Sequence, residues 1–257
     1  MPLRDALRRA LLGLLDTTPG RRLLELAMSD DVQLARLLNT VSDRVAVDAN
    51  FTASLERSPK TVDRFEDCVW LLGSNVLNHG LSRLMIDEAA YLYRLVSSLP
   101  APVVVEIGRY RGGTTFLLAA AGGRVLSLDI DPATASSDTL LRRALERHGL
   151  SERVAIEIAD SHAYPVEASA YDVVFIDGDH TYDGARTDVE RWLPGVTPGG
   201  HLILHDAFLP FPERPWARPW KVEGVHQLRE ELIEQPELDL AGRAGTLAHF
   251  VKAGLTR

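Results

Sequence analysis

The stretch VVVEIGRYRGGTTFLLAAAGGRVLSLDID, residues 103–131, constrains the fold of this chain more than any other. It opens on a β-branched apolar run, Val103 to Ile107, between Pro102 and Gly108, which predicts a buried parallel strand. Gly108, Gly112 and Gly113 follow, with Thr114 and Thr115 at the mouth of an apolar helix, Phe116 to Ala121, that Gly122 and Gly123 end. A second strand, Val125 to Leu128, runs into Asp129. Strand, glycine turn, helix, strand and acid make one βαβ unit, and such units bind nucleotides at the carboxyl ends of their strands.

The turn then narrows the nucleotide. A pyrophosphate site wants G-x-G-x-x-G at a helix N-terminus. Here Glu106 precedes Gly108, Gly112 and Gly113, and an acid at that point repels a pyrophosphate but suits an ammonium. Asp129 is placed to accept from two ribose hydroxyls. An adenosine with a cationic amino-acid tail meets both demands, which predicts S-adenosylmethionine. The expected cofactor wall is Glu106, Gly108, Arg109, Tyr110, Gly113, Thr114, Asp129, Ile130, Asp160, Ser161 and Asp177. Asp160 is expected to accept from the adenine amine and Ser161 to bond the ring. E-x-G-x-x-x-G with an acid ending the second strand resembles the class I methyltransferases.

Before that unit, residues 1–100 read as a helical appendage to a domain spanning 101–257. Leu7, Leu11, Leu14 and Leu15 fall at helical spacing, and Ser58-Pro59 starts a helix striped by Val62, Phe65, Val69, Leu72 and Val76. Ile86, Ala90, Tyr93 and Val96 form the next stripe. His79 reads as a helix-end residue and Cys68 as a small buried apolar side chain.

After Asp129 come a helix from Ser137 to His148 and a strand from Val154 to Ala159. The fourth strand, Tyr171 to Ile176, delivers Asp177-Gly178-Asp179-His180, and Thr181 caps the helix carrying Ala185, Val189 and Trp192. The fifth, His201 to Leu204, ends in His205-Asp206. A helix from Val222 to Glu234 precedes a closing hairpin, Leu238 to Leu240 and Thr246 to Val251. The expected architecture is a Rossmann-like, doubly wound α/β fold, with a mostly parallel seven-stranded sheet and an antiparallel last strand.

Two adjacent strand ends thus bring Asp177, Asp179, His180, His205 and Asp206 to one crevice. Asp177 and Asp206 offer hard oxygen to a divalent metal, and His205 adds nitrogen, which tilts the choice toward Mn²⁺, Fe²⁺ or Zn²⁺, or stands behind the ligands. Asp179 reads as a partner for backbone amides. His180 is placed to take a proton near neutral pH. The run VVFIDGDHTYDGARTDVERWLPGVTPGGHLILHD resembles the class I branch of metal-dependent macrolide-sugar and rhamnosyl O-methyltransferases and cephalosporin hydroxylase-like proteins. That resemblance implies metal ligation by Asp177 and Asp206 and proton abstraction by His180. It implies a divalent ion, Mg²⁺ first and Ca²⁺ or Mn²⁺ as alternatives, and a small hydroxylated acceptor such as a sugar. His205 stands where some members of the branch have glutamate.

Composition removes other classes. The 257 residues carry a net charge of −8, which argues against a nucleic-acid partner. One cysteine excludes an internal disulfide and fits a reducing cytoplasm. The charged N-terminal run has no membrane-spanning character. Phe208 to Trp220, with five prolines, predicts an extended loop whose Phe208, Phe211, Trp216 and Trp220 either stack on the acceptor or pack in a homo-oligomer contact or on the loop itself.

Overall fold

The computed structural model describes residues 55–56, 58–72, 81–130, 135–208 and 223–254. The expected helices before residue 55, His79, and the loop aromatics Phe211, Trp216 and Trp220 lie outside them. A 3-10 helix, Phe65–Leu72, leads to α1, Ile86–Ser98. Then come β1 (Val103–Ile107), α2 (Gly113–Ala120), β2 (Arg124–Asp129), α3 (Ala135–Arg147), β3 (Val154–Ile158) and β4 (Tyr171–Ile176). The rest is α4 (Tyr182–Trp192), β5 (Val196–Leu204), α5 (Glu223–Ile233), β6 (Leu238–Ala244) and β7 (Leu247–Lys252).

The seven strands form one sheet in the order β3-β2-β1-β4-β5-β7-β6. β1 pairs in parallel with β2 and β4, β2 with β3, and β4 with β5. β7 runs antiparallel to both β5 and β6. The strand order reverses between β1 and β4, so the crevice beyond Ile107 and Ile176 is the topological switch point where such sheets bind ligands.

Alternation on β1 divides the core. Val104 faces one cluster with α1, α2 and α3, while Val105 and Ile107 face another with α4 and α5. Leu92 and Val96 of α1 share the first cluster with Val104 and Phe175, so this helix is built into the same core as the sheet. Its inward stripe is Glu88, Ala89, Leu92, Tyr93 and Val96, whereas Ile86 is 59 % exposed. The expected stripe through Ile86 and Ala90 is therefore rotated, because a carboxylate occupies an inward position. Among the described residues no helix is long and apolar enough to cross a membrane.

Three further boundaries differ from expectation. Ser58 does not start a helix: its hydroxyl donates back to the carbonyl of Leu55, which is itself helical, at 2.6 Å, and the next helical turn is the 3-10 helix from Phe65. Cys68 and Leu71 turn inward there, Val69 faces outward, and burial pushes the Cys68 thiol up to about 12. β5 starts at Val196, five residues before His201, through an irregular register opposite Tyr171 and Val173. β6 passes through Gly242 in place of turning there. A Cβ at Gly242 would meet the Tyr91 hydroxyl at 2.2 Å, and the pairing register shifts beside it.

Candidate active site

The switch point is a cavity of about 530 Å³, within the usual range for a small-molecule site. Its wall includes Ile107, Gly108, Tyr110, Asp129, Ile130, Asp160, Ser161, Asp177 and Asp188. A second hollow, about 470 Å³ between α4 and α5, includes none of the expected site residues.

Gly108 sets the floor. Its φ of +87° is a left-handed conformation, and a Cβ there would meet the Asp177 carbonyl at 2.1 Å. The bare backbone lets the β1 turn close on the end of β4. Asp129 then organises that turn: one carboxylate oxygen accepts the backbone N–H groups of Arg109 and Tyr110 at 3.0 and 2.9 Å. Asp160 accepts from the His162 N–H at 2.9 Å, and Ser161 donates its hydroxyl to Asp188 at 2.6 Å.

Four of the expected cofactor residues, Glu106, Arg109, Gly113 and Thr114, are not among those that line this cavity. Arg109 sits in the turn between two lining residues, Gly108 and Tyr110, but is turned away. Its guanidinium is buried, paired with Asp138 at 2.8 and 3.1 Å and bonded to the carbonyls of Ser127 and Glu157, so no charge reaches the cavity. Gly113 donates its N–H to the Leu81 carbonyl, and Thr114 lies 3.2 Å from the Ser82 hydroxyl, so residues 81–82 cover the mouth of α2. Glu106 is 0 % exposed beneath the turn. Thr115 and Ser127 donate to one of its oxygens at 2.5 and 2.6 Å, and the other oxygen, Oε1, has no partner. Burial pushes this carboxyl up to about 7 against those two hydroxyls.

The second half of the site is the meeting of Asp177, His180, His205 and Asp206, whose ligand atoms all lie within 4.8 Å of one another. Asp177 belongs to both halves, lining the cavity and joining the cluster. Its Oδ1 lies 3.2 Å from His180 Nε2 and 2.9 Å from His205 Nδ1. Asp206 Oδ2 lies 3.5 Å from His180 Nε2 and 3.6 Å from His205 Nδ1. Asp206 reaches inward from a left-handed backbone, φ +54°, a conformation held at functional sites more often than elsewhere. Asp179 instead accepts the Thr181 N–H at 2.9 Å, and Thr181 caps α4 by accepting from the Gly184 N–H.

Electrostatics tie the cluster together. Burial opposes the Asp177 charge, but the His205 and His180 imidazoles overcome it and hold the carboxyl well below its usual range. Burial likewise opposes a charged His205, yet Asp177, Glu88 and Asp206 raise it well above an ordinary imidazole. His180 is raised too, against burial, by Asp177 and Asp206.

Two acids lay unremarked in the sequence. Glu88 of α1 sits 3.4 Å from His205 Nε2, and Asp188 of α4 sits in the cavity wall. Each falls on the apolar stripe of an amphipathic helix, Glu88 with Leu92 and Asp188 with Ala185 and Trp192. A carboxylate on an inward stripe is the signal that marks both. Of the two readings of Phe208, packing within the chain is the one its surroundings match: the guanidinium groups of Arg229 and Arg243 lie over its ring, at 4.3 and 4.1 Å.

A mostly parallel sheet with this strand order, an acid-flanked glycine turn and a cavity at the switch point make a Rossmann-like, doubly wound fold with a nucleotide-sized site. Comparison with known proteins bears on the same span: residues 105–207 match a family described as a methyltransferase domain. Solved structures share the fold. The O-methyltransferase TomG from Streptomyces achromogenes, involved in tomaymycin synthesis and bound to SAM, aligns at 17% identity. That alignment covers 81% of this chain and 92% of TomG, with TM-score 0.52. An O-methyltransferase from Bacillus cereus in complex with SAH aligns at 20% identity over 84% of this chain and 97% of its own, with TM-score 0.53. The SAH-bound methyltransferase PaMTH1 from Podospora anserina aligns at 15% over 85% and 94%, with TM-score 0.53. Residues 105–207 thus match a methyltransferase domain, on a fold that this chain shares with O-methyltransferases solved with SAM or SAH bound.

Proposed function

We propose that this protein transfers a methyl group from S-adenosylmethionine to a hydroxyl of a small acceptor, with a divalent metal held beside the cofactor. A sugar or a glycosylated natural product is the acceptor class that the sequence resemblance favours. One observation carries the reading: Asp177 is at once a wall of the cofactor-sized cavity and a member of the two-acid, two-imidazole cluster.

The residues fit both groups. For the cofactor, Glu106 Oε1 is a buried acceptor without a partner, and only bare backbone fits at Gly108. Asp129 would take the ribose hydroxyls, while Ile130, Asp160 and Ser161 would bound the adenine. For the metal, Asp177, His205 and Asp206 supply mixed oxygen and nitrogen donors. Bound S-adenosylmethionine supplies an electrophilic methyl on sulfur, and a divalent ion supplies Lewis acidity toward the acceptor oxygen. Asp177 and Asp206 orient the acceptor beside the cavity. With Asp177 and Asp206 committed to the metal, His180 would lose the charges that raise it and be neutral, and its Nε2 would receive the hydroxyl proton. Gly108 keeps the cofactor turn tight against that arrangement, so that much of the catalysis is positioning.

Chelation tests this directly. EDTA treatment should abolish turnover, and added divalent ion should restore it, while binding of S-adenosylhomocysteine measured by calorimetry stays unchanged. A second reading keeps the fold and drops the metal, with His180 as sole base. It is favoured by His205, whose imidazole between Asp177 and Glu88 offers the carboxylates a cation of the protein's own. Full activity in EDTA would select it. Asp129→Ala should raise the cofactor dissociation constant about 10–100-fold, since a charge-assisted acceptor and the anchor of two turn amides are lost together. An unchanged calorimetric affinity would remove Asp129 from the ribose.

A further inference from the structure

Glu88 connects the cluster to the start of α1 and to the turn between β6 and β7. It is 1 % exposed, on the inward face of α1. One carboxylate oxygen accepts both the N–H and the hydroxyl of Thr246 at 2.7 Å, at the turn between β6 and β7. The other accepts the Met85 N–H at 2.6 Å and lies 3.4 Å from His205 Nε2. The same Thr246 hydroxyl accepts the Asp206 N–H at 3.2 Å. So Glu88 fixes the far edge of the His205 ring and, through Thr246, the backbone that carries Asp206.

That leaves His205 Nδ1 turned to the acids, 2.9 Å from Asp177 Oδ1 and 3.6 Å from Asp206 Oδ2. An imidazole that gives one N–H to a buried carboxylate and turns its other nitrogen to a pair of acids has the arrangement of a histidine ligand backed by a carboxylate. We infer that His205 ligates through Nδ1 with Glu88 as its positioning residue, so the site takes a borderline ion such as Mn²⁺ in preference to Mg²⁺. This inference rests on the metal-assisted reading above and goes beyond it, assigning one ligand nitrogen, a residue on α1 and a metal preference. All-oxygen sites favour Mg²⁺ and Ca²⁺, and an imidazole in the donor set moves the preference toward later divalent ions. The packing of Leu92 and Val96 in the sheet's core makes α1 a rigid support for Glu88, as an outer carboxylate must be to hold a ring in place.

The test uses the metal-free full-length protein and binding alone. Mn²⁺ titration followed by electron paramagnetic resonance, with Mg²⁺ as competitor, gives affinity and preference. Pulsed measurements on the Mn²⁺-loaded protein read nitrogen coupling. The expected result is an imidazole-nitrogen signal that His205→Asn abolishes and His180→Asn retains. His205→Asp should lower the Mn²⁺ over Mg²⁺ preference about tenfold or more. Glu88→Gln should weaken Mn²⁺ binding about 10–100-fold and alter the nitrogen coupling, with S-adenosylhomocysteine affinity unchanged. If Glu88→Gln fails to fold, the two histidine variants decide the ligand. Mn²⁺ bound without nitrogen coupling, or coupling that depends on His180 alone, overturns the inference and leaves metal assistance standing. Protein that binds S-adenosylhomocysteine but no Mn²⁺ overturns both.

Discussion

A His180→Ala enzyme turns over its acceptor about 10²–10⁴-fold more slowly than the parent and binds S-adenosylmethionine as tightly. The split between rate and cofactor affinity follows from where the side chain lies. His180 is absent from the cavity wall, whereas Asp177, three residues earlier, is part of it. The His180 imidazole instead turns Nε2 to Asp177 and Asp206, the two acids that would hold the acceptor's oxygen side. Removing it deletes a proton acceptor and leaves the floor at Gly108 and the wall at Asp129 untouched. Asp177→Ala, by contrast, should damage rate and cofactor affinity together, because that residue serves both halves. Steady-state kinetics paired with calorimetry on the two variants reads the difference. An active His180→Ala protein would remove His180 as the base, and weakened cofactor binding in that variant would place the ring in the cofactor site instead.

The halves of this site were unequally legible in the sequence. β1, the glycine turn, α2 and β2 follow from local pattern, because β-branched runs, bare glycine and an apolar helix leave little alternative. The meeting of the β4 and β5 ends was also legible, since adjacent parallel strands must deliver Asp177 and His205-Asp206 to one crevice. What failed was direction within elements. Arg109 lies in the turn, yet its guanidinium points back to Asp138, a residue 29 positions away that no local pattern links to it. The turn of α1 about its axis hinged on Glu88, whose partners His205 and Thr246 lie on the far side of the chain. β5 begins before the expected His201 because the prolines and glycines of 194–200 have the composition of a turn, whereas the 3-10 turn ends at Gly195 and pairing with β4 carries the strand through Pro198, Gly199 and Gly200. Long-range hydrogen bonds decided each of these, and they are the part of the fold that periodicity does not encode.

Glu106 gives the other large effect, and it concerns stability. The carboxyl is fully buried and raised from 4.5 to about 7, mainly by loss of water. A group whose folded value lies above its unfolded one contributes stability that is complete below about 4.5 and lost as pH rises through 7. The full gap corresponds to about 3 kcal/mol. Between about pH 5 and about pH 8, the cofactor-free protein should therefore lose about 2–3 kcal/mol that a Glu106→Gln variant does not lose, measured by urea unfolding at each pH. The neutral amide cannot titrate, so the comparison isolates this one group from the other carboxylates. The cofactor's ammonium supplies the missing partner at Oε1 in the proposed function, and a cation there favours the ionised acid. S-adenosylhomocysteine, which keeps that ammonium, should then stabilise the parent more at about pH 8 than at about pH 5. It should stabilise Glu106→Gln by less, and equally at both. Parallel pH profiles for parent and variant would mean that the buried acid is not held near 7. A ligand effect independent of pH in the parent would mean that the ammonium lies elsewhere.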